Sequence, residues 1–468
     1  MKIFYALVMV AVSSIGVFSG PPGKYAITNV SVIPMDREVV LGDQTVLIIN
    51  GNIVDFGRSD SVQIPSGFTV IEGKGKFLVP GLYDMHAHFY YEQGDNVNTC
   101  EKELKLMLAN GITTARIQCG DSVYLQARQH VETGKWKGPE LFISSPQLVG
   151  AWPWGGKMFA AICKTPEEAQ RAVKRYKNEG YDEIKITFGI TPEVYTAIVK
   201  TAREENIKVT GHVGPQVKLP AALWARQQNE HMDEFIDMLL PDTSYNHGQS
   251  VSDMNLWRRQ AWETVPHLDE RRIPRLVDMV KEANIYVTPT NFFFFSFFGR
   301  GIDEKTAMAS PQYQFIPSVI KQEATRVREQ YFKNMPPGTS RARYIEIRKR
   351  ITRELWKAGV KLMAGSDSPQ WYSVTGFALH DELRTMVECG LTPFAALQTA
   401  TVNPATYLGI SKTHGTIAKG KRANLILLNA NPLLDITNTS KIDGVFRDAW
   451  YAAPDIQGLL QEARSMGK

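Results

Sequence analysis

Hydrophobic and polar positions change rhythm twice along the chain. Over residues 24–80 (KYAITNVSVIPMDREVVLGDQTVLIINGNIVDFG…TVIEGKGKFLVPG) Val, Ile and Thr dominate, with Asn-Gly and Gly-Lys-Gly turns between short runs. That texture predicts antiparallel strands and hairpins. It returns in GTIAKGKRANLILLNANPLLDI (415–436) and KIDGVFRDAWYA (441–452), so residues 20–80 and 404–468 together predict one small β-sandwich domain built from both chain ends. Across residues 81–403 short apolar runs alternate instead with charged, helix-like stretches such as TPEEAQRAVKRYKNEG (165–180) and TPEVYTAIVKTAREEN (191–206). The apolar runs are LYDMHAH (82–88), GITTARIQ (111–118), ELFISSPQ (140–147), YDEIKITFG (181–189), NIKVTGHV (206–213), NEHMDE (229–234), NIYVTPT (284–290) and GVKLMAGSD (359–367). Eight such strands separated by helices predict an α/β fold, a (β/α)8 TIM barrel, whose chemistry sits at the C-terminal strand ends.

Composition narrows the classes. With 468 residues, 43% hydrophobic and 22% charged, the chain has ordinary globular proportions and room for one large barrel plus a satellite. A net charge of +5 without a dense Lys/Arg block gives no reason to expect a nucleic-acid partner. The first residues, MKIFYALVMVAVSSIGVFSG, carry Lys2, an apolar stretch from Ile3 to Phe18 and then the small Ser19 and Gly20. This is the layout of a secretory signal peptide over residues 1–19, and Pro21-Pro22-Gly23 ends any helix there. The competing reading, an uncleaved anchor, meets an apolar core somewhat short of the roughly 20 residues a span needs. The mature chain is therefore expected to be secreted or periplasmic, and off the membrane. Cys100, Cys119, Cys163 and Cys389 are widely spaced with no C-x-x-C pair, which excludes a cysteine zinc framework and leaves bridges or buried thiols open.

The ionisable residues at the strand ends form a short list. His86 and His88 stand on the first candidate strand, Lys185 on the fourth, His212 on the fifth, His231 on the sixth and Asp367 on the eighth. In an extended strand His86 and His88 share one face. Each residue alone has a bland reading: an incidental pair, a core histidine, a turn-forming aspartate. Four of the nine histidines at strand ends make chance placement hard to defend, and imidazole with carboxylate suits zinc and neighbouring divalent ions. Lys185, between Ile184 and Ile186, is costly to bury as an ammonium unless it snorkels to water. Reaction of its amine with carbon dioxide would convert it into a carbamate, an anionic oxygen pair able to bridge two cations.

This order of H-x-H, Lys, His, His and Asp on successive strands, with VPGLYDMHAH, GITTARIQCG, GSD and the tail LHDELRTMVECGLTPFAALQTATVNPATYLGI…GTIAKGKRANLILLNANP, resembles the amidohydrolase superfamily over nearly the whole chain. The resemblance implies that His86, His88 and Asp367 hold the more buried of two metal ions, His212 and His231 the more exposed, and carbamylated Lys185 bridges them. Two departures stand out. Ala423-Asn424 replaces a frequent Ala-Asp pair and is read as a change on the sandwich surface; TTARIQ replaces a frequent TTVRD and removes an acidic side chain near the second strand.

Such a site supplies water with a pKa lowered to about 7 and a second ion, roughly 3.5–4 Å away, to polarise a carbonyl; Asp367 is the expected proton shuttle. The expected substrate is a small amide: a dipeptide, as for prolidase-like relatives, an N-acyl amino acid, or a cyclic amide, as for imidazolonepropionase-like ones. An esterase, lactonase or phosphotriesterase would use the same ions, and a non-catalytic metal-binding barrel is the alternative of another class, disfavoured because all six polar groups are kept. Tyr90, Tyr91, Trp152 and Trp154 are placed to line the pocket. Arg116 stands where it could receive a substrate carboxylate or enter a structural ion pair. NFFFFSFFGR (291–300) reads as apolar packing or as an aromatic wall, and the charged stretch 300–350 as a lid or a homo-oligomer interface, with no residue deciding.

Overall fold

The computed structural model describes residues 23–89, 97–150, 160–232, 234–241, 264–299, 308–316, 318, 320–322, 326, 338–370 and 372–466. Residues 1–22, which contain the expected signal peptide, lie outside the described residues, as do Tyr90, Tyr91, Trp152 and Trp154. Among the described residues no helix is long and apolar enough to cross a membrane. No disulfide links the four cysteines.

Strands from both chain ends meet in one mixed sheet. Its order is Asn52–Arg58, Leu41–Ile49, Lys24–Val32, Phe77–Pro80, Leu425–Leu428, Ile442–Arg447 and Ala449–Ala452, with Thr69–Glu72 paired to Lys24–Val32. Phe77–Pro80 is the junction, parallel to Lys24–Val32 and antiparallel to Leu425–Leu428. The C-terminal strands therefore continue the N-terminal sheet by hydrogen bonding, and its far strand Asn52–Arg58 returns to the segment before Leu425–Leu428, where Ile53 N donates to Lys421 O and Ala423 N to Gly51 O (both 2.8 Å). Ile27, Val46, Ile48, Leu78, Leu425 and Phe446 bury its apolar side. Asn424, expected on the surface, is only 8% exposed, because it sits where this sheet turns into the first parallel strand and its carbonyl accepts from Gly81 N at 2.8 Å.

The interior strands are parallel, as their helical crossovers demand, and Leu82–Ala87, Ile112–Ile117, Glu183–Ile186 and Gln228–Glu230 are buried at every position. Leu82–Ala87, Ile112–Ile117 and Glu140–Ile143 form one set; Glu183–Ile186, Lys208–Gly211, Gln228–Glu230, Tyr286–Thr288 and Lys361–Leu362 form another, with Gln147–Val149 and Ala160–Ile162 at its edge. Hydrogen bonds run across both margins between the sets. Ser145 N donates to Glu183 O (2.7 Å) and Asp182 N to Ile143 O (2.8 Å) on one side; Met85 N donates to Ala364 O (2.9 Å) and Asp367 N to His86 O (2.7 Å) on the other. The first and last strands are thus neighbours, and His86 is carried beside Asp367.

Crossover helices follow local rules. Pro166–Glu179 opens with a capping box between Thr165 and Glu168, stops at Gly180 in the left-handed region (φ 91°), and buries Ala169, Ala172, Val173 and Tyr176; such a box satisfies two otherwise orphaned donors. Thr191 caps Pro192–Glu204 from its hydroxyl. The sixth strand ends sooner than NEHMDE suggests, since His231 and Met232 take positive φ (64° and 57°) and leave the ladder. A helix unforeseen from the sequence, Ala453–Ser465, packs on Asn98–Ala109.

Candidate metal centre

Four strand ends and one loop converge on Asp367. His88 Nε2 lies 3.1 Å and His86 Nε2 3.7 Å from Asp367 Oδ1, and His231 Nδ1 lies 3.8 Å from Oδ2. His86, His88 and Asp367 each offer a ligand atom within 4.8 Å of the others. The His86 and His231 rings are 4.5 Å apart by centroid, and His212 stacks on His231 at 4.8 Å. Lys185 is 0% exposed, and its Nζ has no hydrogen-bond partner among the described residues. All six expected ligands are buried or nearly so. His231, Thr290 and Asp367 hold positive φ (64°, 48° and 52°), an outlying conformation for β-branched Thr290 and one that clusters at functional sites.

The hydrogen bonds select which nitrogen of the His86 and His88 rings faces the centre. His86 Nδ1 lies 2.6 Å from Glu230 Oε2, and a carboxylate only accepts, so the proton is on Nδ1 and the lone pair on Nε2. His88 Nδ1 faces the carbonyl of Gln118 at 3.3 Å, so this nitrogen too carries a proton and Nε2 is turned to Asp367. At His231 the choice is not made this way: Thr290 Oγ1, which donates to Pro289 O (2.8 Å), lies 2.8 Å from Nδ1, the same nitrogen that stands 3.8 Å from Asp367 Oδ2. An imidazole that spends its second N–H on a carboxylate or carbonyl is the arrangement metal-binding histidines use. The donor set of imidazoles and a carboxylate, with an orphaned lysine nitrogen among them, fits divalent ions of the zinc class.

Electrostatics agree with that fit. Burial, then Lys185 and His88, hold His86 well below the usual histidine value; burial, then His86 and His212, do the same to His231. Both are neutral, as ligands must be. Burial opposes charge on His88 as well, but hydrogen bonds to Asp367 and Cys119 outweigh it and lift its pKa to about 10. The carboxylate thus draws positive charge to the atom where an ion would be held. Beneath, Asp84 binds the first strand to the last: it accepts from His86 N (3.2 Å), Ser366 N (3.0 Å) and Ser366 Oγ (2.5 Å). Its burial raises its pKa to about 6.

The amidohydrolase family model matches residues 77–459, which include every one of these ligands. The chain belongs to the amidohydrolase family. Imidazolonepropionase of Flavobacterium johnsoniae is 23% identical over 408 residues, covering 86% of this chain and 89% of that protein. Two solved structures share the fold: a Xaa-Pro dipeptidase with bound methionine (TM-score 0.65, 21% identity, 92% of this chain and 100% of that one) and bottromycin amidohydrolase (TM-score 0.70, 19% identity, 95% and 90%). As an amidohydrolase the chain is a hydrolase acting on C–N bonds.

Within this amidohydrolase Arg116 takes the structural one of its two expected roles. It is 0% exposed and donates from all three nitrogens to groups inside the protein: Nε to Met85 O (2.6 Å), Nη1 to Glu183 Oε2 (3.2 Å), Nη2 to Glu230 Oε1 (2.6 Å) and Thr288 Oγ1 (3.3 Å). The phenylalanine run takes the packing one of its two expected roles. Phe293, Phe294, Phe295 and Phe297 are buried, and Phe294 comes within 5.9 Å of the His231 ring while Phe188 covers His212 at 4.7 Å. Sequence reasoning missed Asp84, Glu230, Thr290 and Arg348. Arg348 is 1% exposed and donates to His231 O (3.1 Å), Pro289 O (2.8 Å) and Asn291 Oδ1 (3.2 Å), so it ties the sixth and seventh strand ends together. Its signal was present: Tyr344, Arg348, Ile351 and Leu355 recur at helical spacing, and all four are buried.

Proposed function

We propose that this amidohydrolase cleaves the C–N bond of a small amide, namely a dipeptide, an N-acyl amino acid or a cyclic amide, using two zinc-class ions, and that its two parallel strand sets close into a (β/α)8 barrel around them. The observation that carries the reading is the convergence of His86, His88 and Asp367 within ligand distance, beside a fully buried Lys185 whose nitrogen has no partner among the described residues. His86, His88 and Asp367 would hold the inner ion and His212 and His231 the outer one. Lys185, as its carbamate with carbon dioxide, would lie between. Carbamylation replaces an unpaired buried ammonium, a costly state, by oxygens that ligate. When bound, such ions lower the pKa of water and polarise a carbonyl.

The remaining work falls to the side chains. Asp367 takes a proton at its carboxylate and returns it to the leaving nitrogen. Phe188 and Phe294 shield the histidine rings from bulk water, which strengthens every charge interaction inside. The names of the imidazolonepropionase and the dipeptidase favour amide over ester substrates, and no feature of the site favours a lactone or an organophosphate.

Elemental analysis of protein purified without chelator should find about two divalent ions per chain, followed by turnover in a panel of dipeptides, N-acyl amino acids, cyclic amides, lactones and organophosphates. Protein without metal overturns the metal reading; turnover confined to lactones or organophosphates overturns the substrate class. The location proposed with it, secreted or periplasmic, is checked by intact mass: exported protein should begin near Gly20, and retention of Met1 refutes the signal peptide.

A further inference from the structure

We propose that Glu230, clamped by Arg116, is the positioning residue that sets metal affinity at His86, and that this role rests on the metal reading above. A continuous chain of contacts runs under the centre: Glu183 Oε2 to Arg116 Nη1 (3.2 Å), Arg116 Nη2 to Glu230 Oε1 (2.6 Å), Glu230 Oε2 to His86 Nδ1 (2.6 Å). Every side chain in it is at most 4% exposed. The members come from four different strands, so the chain crosses the interior instead of following one element.

The two oxygens of Glu230 are not equivalent. Oε1 takes two donors, Arg116 Nη2 and the Thr210 hydroxyl at 2.8 Å. Oε2 is then the oxygen left for His86, and because it can only accept, it fixes the proton on Nδ1 and aims Nε2 at Asp367. Arg116 is itself immobilised by Met85 O, one residue from His86. The guanidinium therefore fixes both the backbone entering His86 and the carboxylate that orients its ring.

The geometry makes a specific demand on the isosteric variant Glu230→Gln. An amide has one accepting oxygen and one donating nitrogen. Arg116 and Thr210 both donate, so the oxygen turns to them and the NH2 turns to His86. His86 Nδ1 must then accept, its proton moves to Nε2, and the nitrogen facing the ion can no longer ligate. A residue that merely filled space would tolerate this substitution.

The test uses the full chain loaded with zinc and, separately, with cobalt. Zinc affinity is measured by competition with a chromophoric chelator for wild type, Glu230→Gln and Thr210→Val, and the visible absorption of the cobalt forms reports the ligand field. Removing a carboxylate that orients a metal-binding histidine typically weakens binding about 10–100-fold, and that loss is expected in Glu230→Gln, with a changed cobalt spectrum, beside whatever melting temperature the lost counter-charge of Arg116 takes from the metal-free protein. Thr210→Val, which leaves Arg116 in place, is expected to lose several-fold less. If Glu230→Gln binds zinc like wild type and keeps its cobalt spectrum, or if it loses only melting temperature, the positioning role is overturned while the metal reading stands. If wild type itself takes up neither ion, both fall together.

Discussion

Arg116 and Lys185 are two cationic side chains buried to the same degree on neighbouring layers of one interior, and they are treated in opposite ways. All three nitrogens of Arg116 donate, to two carboxylates, a carbonyl and a hydroxyl. The nitrogen of Lys185 donates to nothing among the described residues. A planar guanidinium with a fixed fork suits a scaffold whose partners never change, whereas a primary amine can be deprotonated and chemically modified. The difference teaches where the protein is finished and where it is waiting: satisfied buried charge marks framework, unsatisfied buried charge marks the place where something else completes the structure.

The sharpest way to break this contrast is to exchange the two chemistries. Lys185→Arg should lose activity by several orders of magnitude, because a guanidinium cannot form a carbamate and would push cations away. Lys185→Ala should regain part of it when a short carboxylic acid is added, since the acid can occupy the space and bridge. Initial rates on the best substrate of the panel decide this; near-normal turnover and full metal content in Lys185→Arg would make Lys185 an ordinary buried cation. Arg116→Met tests the other pole. It leaves Glu183 and Glu230 buried without their shared counter-charge, which should cost about 3–5 kcal/mol of stability, read from urea unfolding midpoints at unchanged slope. A loss below about 1 kcal/mol would show that the lower layer is not held by that pairing.

A third buried group gives the mildest test. His380 is paired at both ring nitrogens, with Thr439 Oγ1 (3.0 Å) and Asn110 O (3.1 Å), and burial pushes its pKa from 6.5 to about 4. It is a neutral counterpart of Arg116. Because the folded value is depressed, its contribution is present above pH 6.5 and is lost as pH falls through about 4. Protons bind first to the unfolded chain, so wild type should lose up to roughly 3 kcal/mol more than His380→Gln over that interval. Parallel stability curves for the two proteins would remove His380 from the comparison.

The same contrast explains what the sequence made legible. The candidate ligands could be gathered because each is a local signal, a polar residue at the end of a short apolar run, and the strand order then lines them up. The parallel strands were legible for the same reason, through runs such as EIKI and KVTG between strongly capped helices. The supporting layer was not. Glu230 reaches His86 across 144 positions and Arg116 reaches Glu183 across 67, and nothing in NEHMDE or TTARIQ announces which carboxylate will meet which base. Arg348 was hidden differently, inside a stretch so charged that it reads as solvated. The joining of the two chain ends was legible only as texture, since whether Phe77–Pro80 ends a sheet or continues it is decided by its partner Leu425–Leu428, more than three hundred residues on.

Asp367 and His88 stand 279 positions apart in the chain yet 3.1 Å apart in space. Synthesis makes the histidine pair early and the aspartate late, with most of the protein between them. No partial chain, however long it lingers during synthesis or transport, can offer an ion the complete set of donors. An ion held as proposed would therefore be acquired only once the last strand has docked against the first, and the ion supply at that moment would decide which metal the site takes.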